Sequence, residues 1–277
     1  MDEPHTMKIL KVLCLASAGL AIFSPAIPVS VQAAEASTEA LAKAAQNPIA
    51  SMINVPIQSN IDPNWGPEDD TLAVTNIQPV LPFSLNEDWN LVTRTILPII
   101  TQPGVLADQG RETGTGDALF TGFFVPAKAT EITWGVGPVV RLPTSSNERL
   151  GADEWGAGAS AVALAMPGRW VIGGLISNLW GISEDDGKET NLFTLQPFIN
   201  YNFDRGWYVT TSPIVTANWE ASSGEKWTVP IGIGVGRIFK VGSQAMNAQA
   251  HYYYNFEKPE NTGDWSIRLQ LQFMFPK

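Results

Sequence analysis

Trp265-Ser266-Ile267-Arg268-Leu269-Gln270-Leu271-Gln272-Phe273-Met274-Phe275 carries a large apolar side chain at every odd position, with Ser, Arg, Gln, Gln and Met between them. Successive side chains of a strand point to opposite faces, so this segment as a strand has one wholly apolar face and one mostly polar face. A half-buried antiparallel strand of a soluble protein alternates in the same way. Length and ends speak for a membrane. About 9–11 tilted residues cross a bilayer's hydrocarbon core, and outer-membrane barrels flank their lipid-facing band with aromatic girdles. Here Trp265 and Phe275 mark the two ends. The segment alone allows both readings, and the rest of the chain has to decide between them.

Working back from it, the sequence reads as twelve alternating segments, at 52–61, 72–83, 89–100, 116–125, 131–142, 154–165, 169–180, 191–203, 206–219, 226–239, 246–256 and 264–275. In the eleventh, Met246, Ala248, Ala250, Tyr252, Tyr254 and Phe256 oppose Asn247, Gln249, His251, Tyr253 and Asn255. In the third, Trp89, Leu91, Leu97 and Ile99 share a face, and Asn90 and Arg94 take the other. The first segment alternates most weakly, and in the seventh Asn178 falls on the apolar face. An even strand number is expected when both ends of a single-chain barrel lie on one side of the membrane.

The connections and tryptophans discriminate further. Long and short connections alternate from 62–71 onward, losing the alternation only in the last three, at 220–225, 240–245 and 257–263. Outer-membrane barrels sort short periplasmic turns from long outer loops in this way, whereas a soluble sandwich has no reason to. The long set includes the acidic stretches Glu184-Asp185-Asp186 and Glu148 to Glu154. Trp89, Trp134, Trp170 and Trp207 fall at one set of strand ends, and Trp155, Trp180, Trp219, Trp227 and Trp265 at the other. Amphipathic rings gather at membrane interfaces, while a soluble core would hold them in mid-strand as often. The expected fold is therefore all-β, a transmembrane antiparallel up-and-down β-barrel of about 12 strands over residues 51–277, with N- and C-termini periplasmic.

The N-terminus reads as a secretory signal peptide over residues 1–33: Lys8 and Lys11, an apolar run from Val12 to Phe23, and Val31-Gln32-Ala33 as cleavage site. Asp2 and Glu3 are unusual ahead of such a signal, which points to Met7 as the start of translation. Cleavage removes Cys14, the one cysteine, and excludes a disulfide scaffold. Residues 34–50 are alanine-rich and read as a short helix ending before Pro48, either a periplasmic lead-in or a small plug in the barrel mouth. The net charge of −10 argues against nucleic acid as a partner.

Several segments resemble a known family: Asn76-Ile77-Gln78-Pro79-Val80-Leu81-Pro82-Phe83-Ser84-Leu85, Trp89-Asn90-Leu91-Val92-Thr93-Arg94, Trp134-Gly135-Val136-Gly137-Pro138, Leu195-Gln196-Pro197-Phe198 and Trp227-Thr228-Val229-Pro230. The pattern is similar to an uncharacterised outer-membrane transporter family related to the barrels named after the phenol meta-cleavage pathway. It spans nearly all of the mature chain. The resemblance implies a bacterial outer-membrane location and a small, aromatic or apolar solute, and it carries over no catalytic or binding residue. Phe275 is followed by Pro276 and Lys277, so the terminal aromatic signal read by the barrel-assembly machinery is displaced by two residues.

No metal-ligand cluster and no phosphate-binding glycine loop stands out, so no cofactor is expected. His251 is the one histidine left after cleavage, and no Gly-x-Ser-x-Gly element accompanies it, so the chain does not read as an enzyme. The inward faces carry the functional expectation. Pore-lining candidates are Arg94, Arg141, Arg268, Gln196, Asn200, Asn202, Gln249, His251, Tyr253 and Gln270. Amides, hydroxyls and a few cations could line a passage for small solutes, and rings of charge tune its selectivity. They could equally bond across the lumen and fill it, because twelve strands lie between packed eight-stranded barrels and open ones of 16–18. The expected partners are outer-membrane lipid and a small-molecule solute. The alternative is a structural or surface-interaction barrel with no conductance. Homo-oligomer formation stays open, although no strand is conspicuously polar on its outer face.

Overall fold

The structure is a computed structural model that describes residues 38–104, 109–128, 130–182 and 190–276. The expected signal peptide and the triplet Glu184-Asp185-Asp186 lie outside these residues. One helix, α1 (Thr38–Gln46), precedes β1 (Ile53–Trp65), β2 (Asp70–Ile77), β3 (Val80–Ser84), β4 (Trp89–Gln102), β5 (Glu112–Thr115), β6 (Ala118–Pro126), β7 (Ile132–Leu142), β8 (Gly156–Ala165), β9 (Trp170–Gly181), β10 (Asn191–Asn202), β11 (Trp207–Thr211), β12 (Val215–Asn218), β13 (Trp227–Val241), β14 (Gln244–Glu257) and β15 (Trp265–Phe275). Among the described residues no helix is long and apolar enough to cross a membrane.

These segments form one closed antiparallel barrel of twelve strands. The pairs β2 and β3, β5 and β6, and β11 and β12 each fill a single place in the ring. Closure is made by β15 against β1, in register from Ile53 opposite Phe275 to Ile61 opposite Ile267. The second, fourth and ninth strands expected from the sequence are thus real but interrupted. Proline has no N–H to offer a ladder, and Pro79 and Pro213 stand in two of the three gaps. At the first gap the Gln78 N–H turns to the Pro56 carbonyl at 2.8 Å.

All but the first of the connections sort by length between the two rims. At one rim β3 is joined to β4, β6 to β7, β8 to β9, β10 to β11 and β13 to β14, and at the other β1 is joined to β2, β4 to β5, β7 to β8, β9 to β10, β12 to β13 and β14 to β15. The irregular last three connections expected from the sequence resolve because β13 and β14 run on into a two-residue hairpin, with Gly242 at φ +61 where a primed turn needs a positive value. One expectation fails. The first long loop, read as 62–71, is only 66–69, because β1 continues to Trp65.

The faces are inverted relative to a soluble protein. Phe256 is 75% exposed and Ile233 65% exposed, whereas Asn247 is fully buried and Tyr253 only 1% exposed. Ring contacts run along both rims. At the short-turn rim, Trp89 meets Trp134 at 6.0 Å and Trp170 meets Tyr201 at 4.7 Å. At the long-loop rim, Trp219 meets Trp227 at 5.4 Å, with Phe193 beside both. Asn178, the polar intruder on the outward face, donates to Asn191 Oδ1 at 2.9 Å and accepts from the Trp219 indole at 3.2 Å. Its amide is therefore satisfied within the aromatic rim.

Helix α1 forms because alanine, glutamate and lysine favour it, and Glu39 and Lys43 pair one turn apart at 3.2 Å. It ends before Pro48, as that residue requires of its predecessor. The helix packs on inward-facing side chains near the short-turn rim. Leu41 and Ala42, with Ala50 and Met52 beyond the helix, are buried against Tyr208, Ile238, Ala245 and Met274. Ile49 enters a second apolar cluster with Val92, Phe123, Val171 and Phe198.

Leu269 points outward in the middle of β15, and Gln270 points inward. Leu269→Arg is expected to cost about 2–4 kcal/mol, the penalty of a cation near the midplane of a lipid-facing barrel wall. Gln270→Glu is expected to assemble normally. Heat-modifiable gel mobility after refolding into liposomes checks the pair, and equal assembly would contradict the assignment of faces.

Candidate functional site

The lumen is divided by height. Residues 38–52 and the two apolar clusters occupy the short-turn half. Above them lies a cavity floored by Ala45, Gln46, Asn47 and Pro48. Its wall is dominated by amides from many strands, including Gln58, Gln78, Gln196, Gln249, Gln270 and Gln272. An apolar patch of Val80, Leu175 and Phe198 interrupts them.

Seven of the ten residues singled out from the sequence line this one cavity: Arg94, Arg268, Gln196, Asn200, Gln249, His251 and Gln270. Alternation put them on the inward face, and barrel closure brings them to a common height. Three stand elsewhere. Asn202 lies below, where its amide exchanges two hydrogen bonds with Gln46 at 2.9 and 3.1 Å and tethers the helix. Tyr253 stands behind the cavity wall, with the His251 ring stacked on it at 5.5 Å. Arg141 is at the long-loop rim, where its guanidinium meets Glu154 at 2.5 Å and also donates to Thr190 Oγ1. Both members of that ion pair are buried, so Arg141 is matched by a carboxylate and does not present an open charge to the cavity.

The two cavity arginines are held by the interruptions in the strands. Arg268 donates to the carbonyl of Ser212 at 2.7 Å, in the gap between β11 and β12, and to Asn60 Oδ1 at 2.8 Å. Its guanidinium also lies 4.8 Å from the centre of the Tyr253 ring, within cation–π reach. Arg94 donates to Gln78 Oε1 at 2.5 Å, beside the gap between β2 and β3. A further chain joins Tyr208 to Asn247 at 2.6 Å and Asn247 to Gln272 at 3.0 Å, and Gln272 reaches the Ala45 carbonyl. Wall and helix are thereby linked.

Glycines on β13 let this crowding occur. A Cβ on Gly236 would sit 2.1 Å from the Tyr208 ring, and one on Gly234 would sit 2.3 Å from the His251 ring. The Gly232-Ile233-Gly234-Val235-Gly236 alternation is thus a slot for side chains of the neighbouring strands. His251 itself has no hydrogen-bond partner on either ring nitrogen among the described residues, so no serine or carboxylate is joined to it in a catalytic arrangement. Among the described residues no group of three His, Cys, Asp or Glu side chains converges on a metal position.

Asn54, Pro56 and Gln58 also line the cavity, and sequence reading missed them because β1 alternates weakly. The contribution of Gln46 to Pro48 falls in the segment whose sequence allowed both a periplasmic lead-in and a plug, since a helix beside a barrel mouth leaves the strand pattern untouched.

Arg141→Met is expected to lower stability by about 3–5 kcal/mol, because it strands a buried Glu154 without its partner. Arg141→Met with Glu154→Gln is expected to recover most of that loss, as read from denaturant unfolding in detergent. Gly234→Val is expected to disrupt assembly more than Val235→Gly, since only the former drives a side chain into His251.

No family model matches the chain. No curated protein matches it either. Among solved structures, an outer membrane channel from Pseudomonas putida F1 is 15% identical with a TM-score of 0.64, over 81% of this chain and 96% of that one. The CymD monoaromatic hydrocarbon channel is 8% identical with a TM-score of 0.44, over 88% and 93%. Outer membrane phospholipase A from Escherichia coli is 12% identical with a TM-score of 0.40, over 81% and 92%. The chain shares with the Pseudomonas putida F1 channel the fold of a closed antiparallel barrel.

Proposed function

We propose that this chain is an outer-membrane channel that takes small solutes into the amide-lined cavity and releases them past the N-terminal segment. The long loops then face the outside and the short turns the periplasm, with residues 1–33 acting as a signal peptide. The observation that carries this reading is the cavity itself: a polar, many-stranded chamber inside a barrel whose outer surface is an apolar band between two aromatic rims. The barrel's likeness in fold to an outer membrane channel supports it. In this reading Arg94, Arg268, Gln196, Asn200, Gln249, His251 and Gln270 touch the solute, and Asn202 holds the segment that closes the route.

In this reading the exit is a second cavity that lies beside α1, between Ala40, Leu41, Ala44 and Ile49 and the wall of Val92 and Val125. Its lining is mostly apolar, which suits a solute with an apolar portion. A barrel with a filled lumen and no conductance is the second reading. The packing of residues 38–52 into two apolar clusters favours it, because such packing does not open without a cost.

Single-channel recording from the mature chain in a planar bilayer separates the two. The full chain is expected to give small steps, and deletion of residues 38–50 is expected to raise conductance several-fold. Silence from both proteins, after clean insertion, would establish the filled structural barrel instead.

A further inference from the structure

We propose that the cavity is a carboxylate site, in which Arg94 and Arg268 hold the head of an amphipathic monocarboxylate while its short apolar tail lies on Val80, Leu175 and Phe198. The inference rests on the channel reading and names the solute class of that same cavity.

Charge is the first ground. Arg94 has one polar partner among the described residues, the neutral Gln78 amide oxygen, and no carboxylate lies within ion-pair distance of it. Arg268 is bonded to neutral groups, namely Asn60, the Ser212 carbonyl and Tyr253. No carboxylate lies within ion-pair distance of Arg268 either among the described residues. Arginine stays charged, and a buried charge without a counter-charge costs several kcal/mol. The cavity therefore carries an excess of positive charge, which a carboxylate offsets.

Shape and chemistry are the second ground. Planar guanidinium forks match a carboxylate with two parallel hydrogen bonds. His251 lines the same cavity, is 4% exposed, and has no hydrogen-bond partner on either ring nitrogen among the described residues, so it adds no counter-charge to the two arginines. Val80 stands directly opposite Arg94 in the pairing of β3 with β4, which sets an apolar side chain next to the charged one. Leu175 and Phe198 face the same space from β9 and β10. A charged pole beside an apolar wall selects a ligand with both.

The test is calorimetric titration of the full mature chain in detergent micelles with hexanoate, hexanamide and acetate, each corrected against empty micelles. Hexanoate is expected to bind about tenfold or more tighter than hexanamide, which has the same tail without the charge, and tighter than acetate, which has the charge without the tail. Arg94→Met is expected to weaken hexanoate about ten- to a hundredfold and hexanamide by much less, since a neutral amide loses only an ordinary hydrogen bond. Equal binding of hexanoate and hexanamide, or an unchanged hexanoate affinity in Arg94→Met, would overturn the carboxylate site. Equal binding of acetate and hexanoate would overturn the apolar half. Absence of binding by all three would overturn the site as a whole. The wild-type comparison needs no variant, so it decides the matter even if Arg94→Met does not assemble. Conductance is read separately, so loss of the carboxylate site leaves the channel reading standing and loss of conductance does not touch the binding result.

Discussion

The antiparallel ladder between β15 and β1 is the interaction on which everything else depends. In hydrocarbon an unpaired backbone amide or carbonyl costs several kcal/mol, so a sheet there tolerates no free edge. Joining the last strand to the first removes both edges at once. It also imposes the inside-out distribution of side chains, since each strand must then offer one face to the exterior and the other to a confined lumen. The alternation of Trp265 to Phe275 is the local expression of that constraint, and the same register places Arg268 and Gln270 inside.

Confinement makes the lumen a packing problem as much as a polar one. Twelve strands enclose more space than their own inward side chains fill. The chain resolves this differently at the two heights. In the short-turn half, residues 38–52 enter and complete two apolar clusters, so the barrel has a conventional hydrophobic core at one end. Higher up, side chains of opposite character meet around a space that is left open. The glycines of β13 tune the boundary by giving up their own side chains to Tyr208 and His251.

The interruptions in three barrel strands link local sequence to site chemistry. A continuous ladder consumes every carbonyl; a break releases one. The Ser212 carbonyl, freed between β11 and β12, receives the Arg268 guanidinium, and the side-chain Oε1 of Gln78, beside the break after β2, receives that of Arg94. Barrel regularity is given up at those points, and in exchange two buried cations are oriented toward a common cavity. Arg141 shows the contrast. It lies on an uninterrupted strand, has Glu154 within reach, and serves the rim instead.

Period-two alternation, loop lengths and tryptophan positions were enough to determine the strand number, the two rims and the outward face, because each is a local property repeated twelve times. The inward residues could be named from the sequence for the same reason. Their grouping was not legible. Whether Arg141, Arg94 and Arg268 act together depends on the height each reaches around a closed ring, and height follows from the stagger between strands. The true length of β1, which shortens the first loop, and the inward facing of Asn54 and Gln58 both depend on its pairing with β15 and β2 rather than on its own weak pattern. The place of the helix was decided only by tertiary structure. An alanine-rich segment before a barrel can lie outside or inside, and its own residues are compatible with both. What brings it inside is the apolar wall of Tyr208, Ile238, Ala245 and Met274, assembled from the four neighbouring strands β11, β13, β14 and β15, which meet only through their pairing in the sheet.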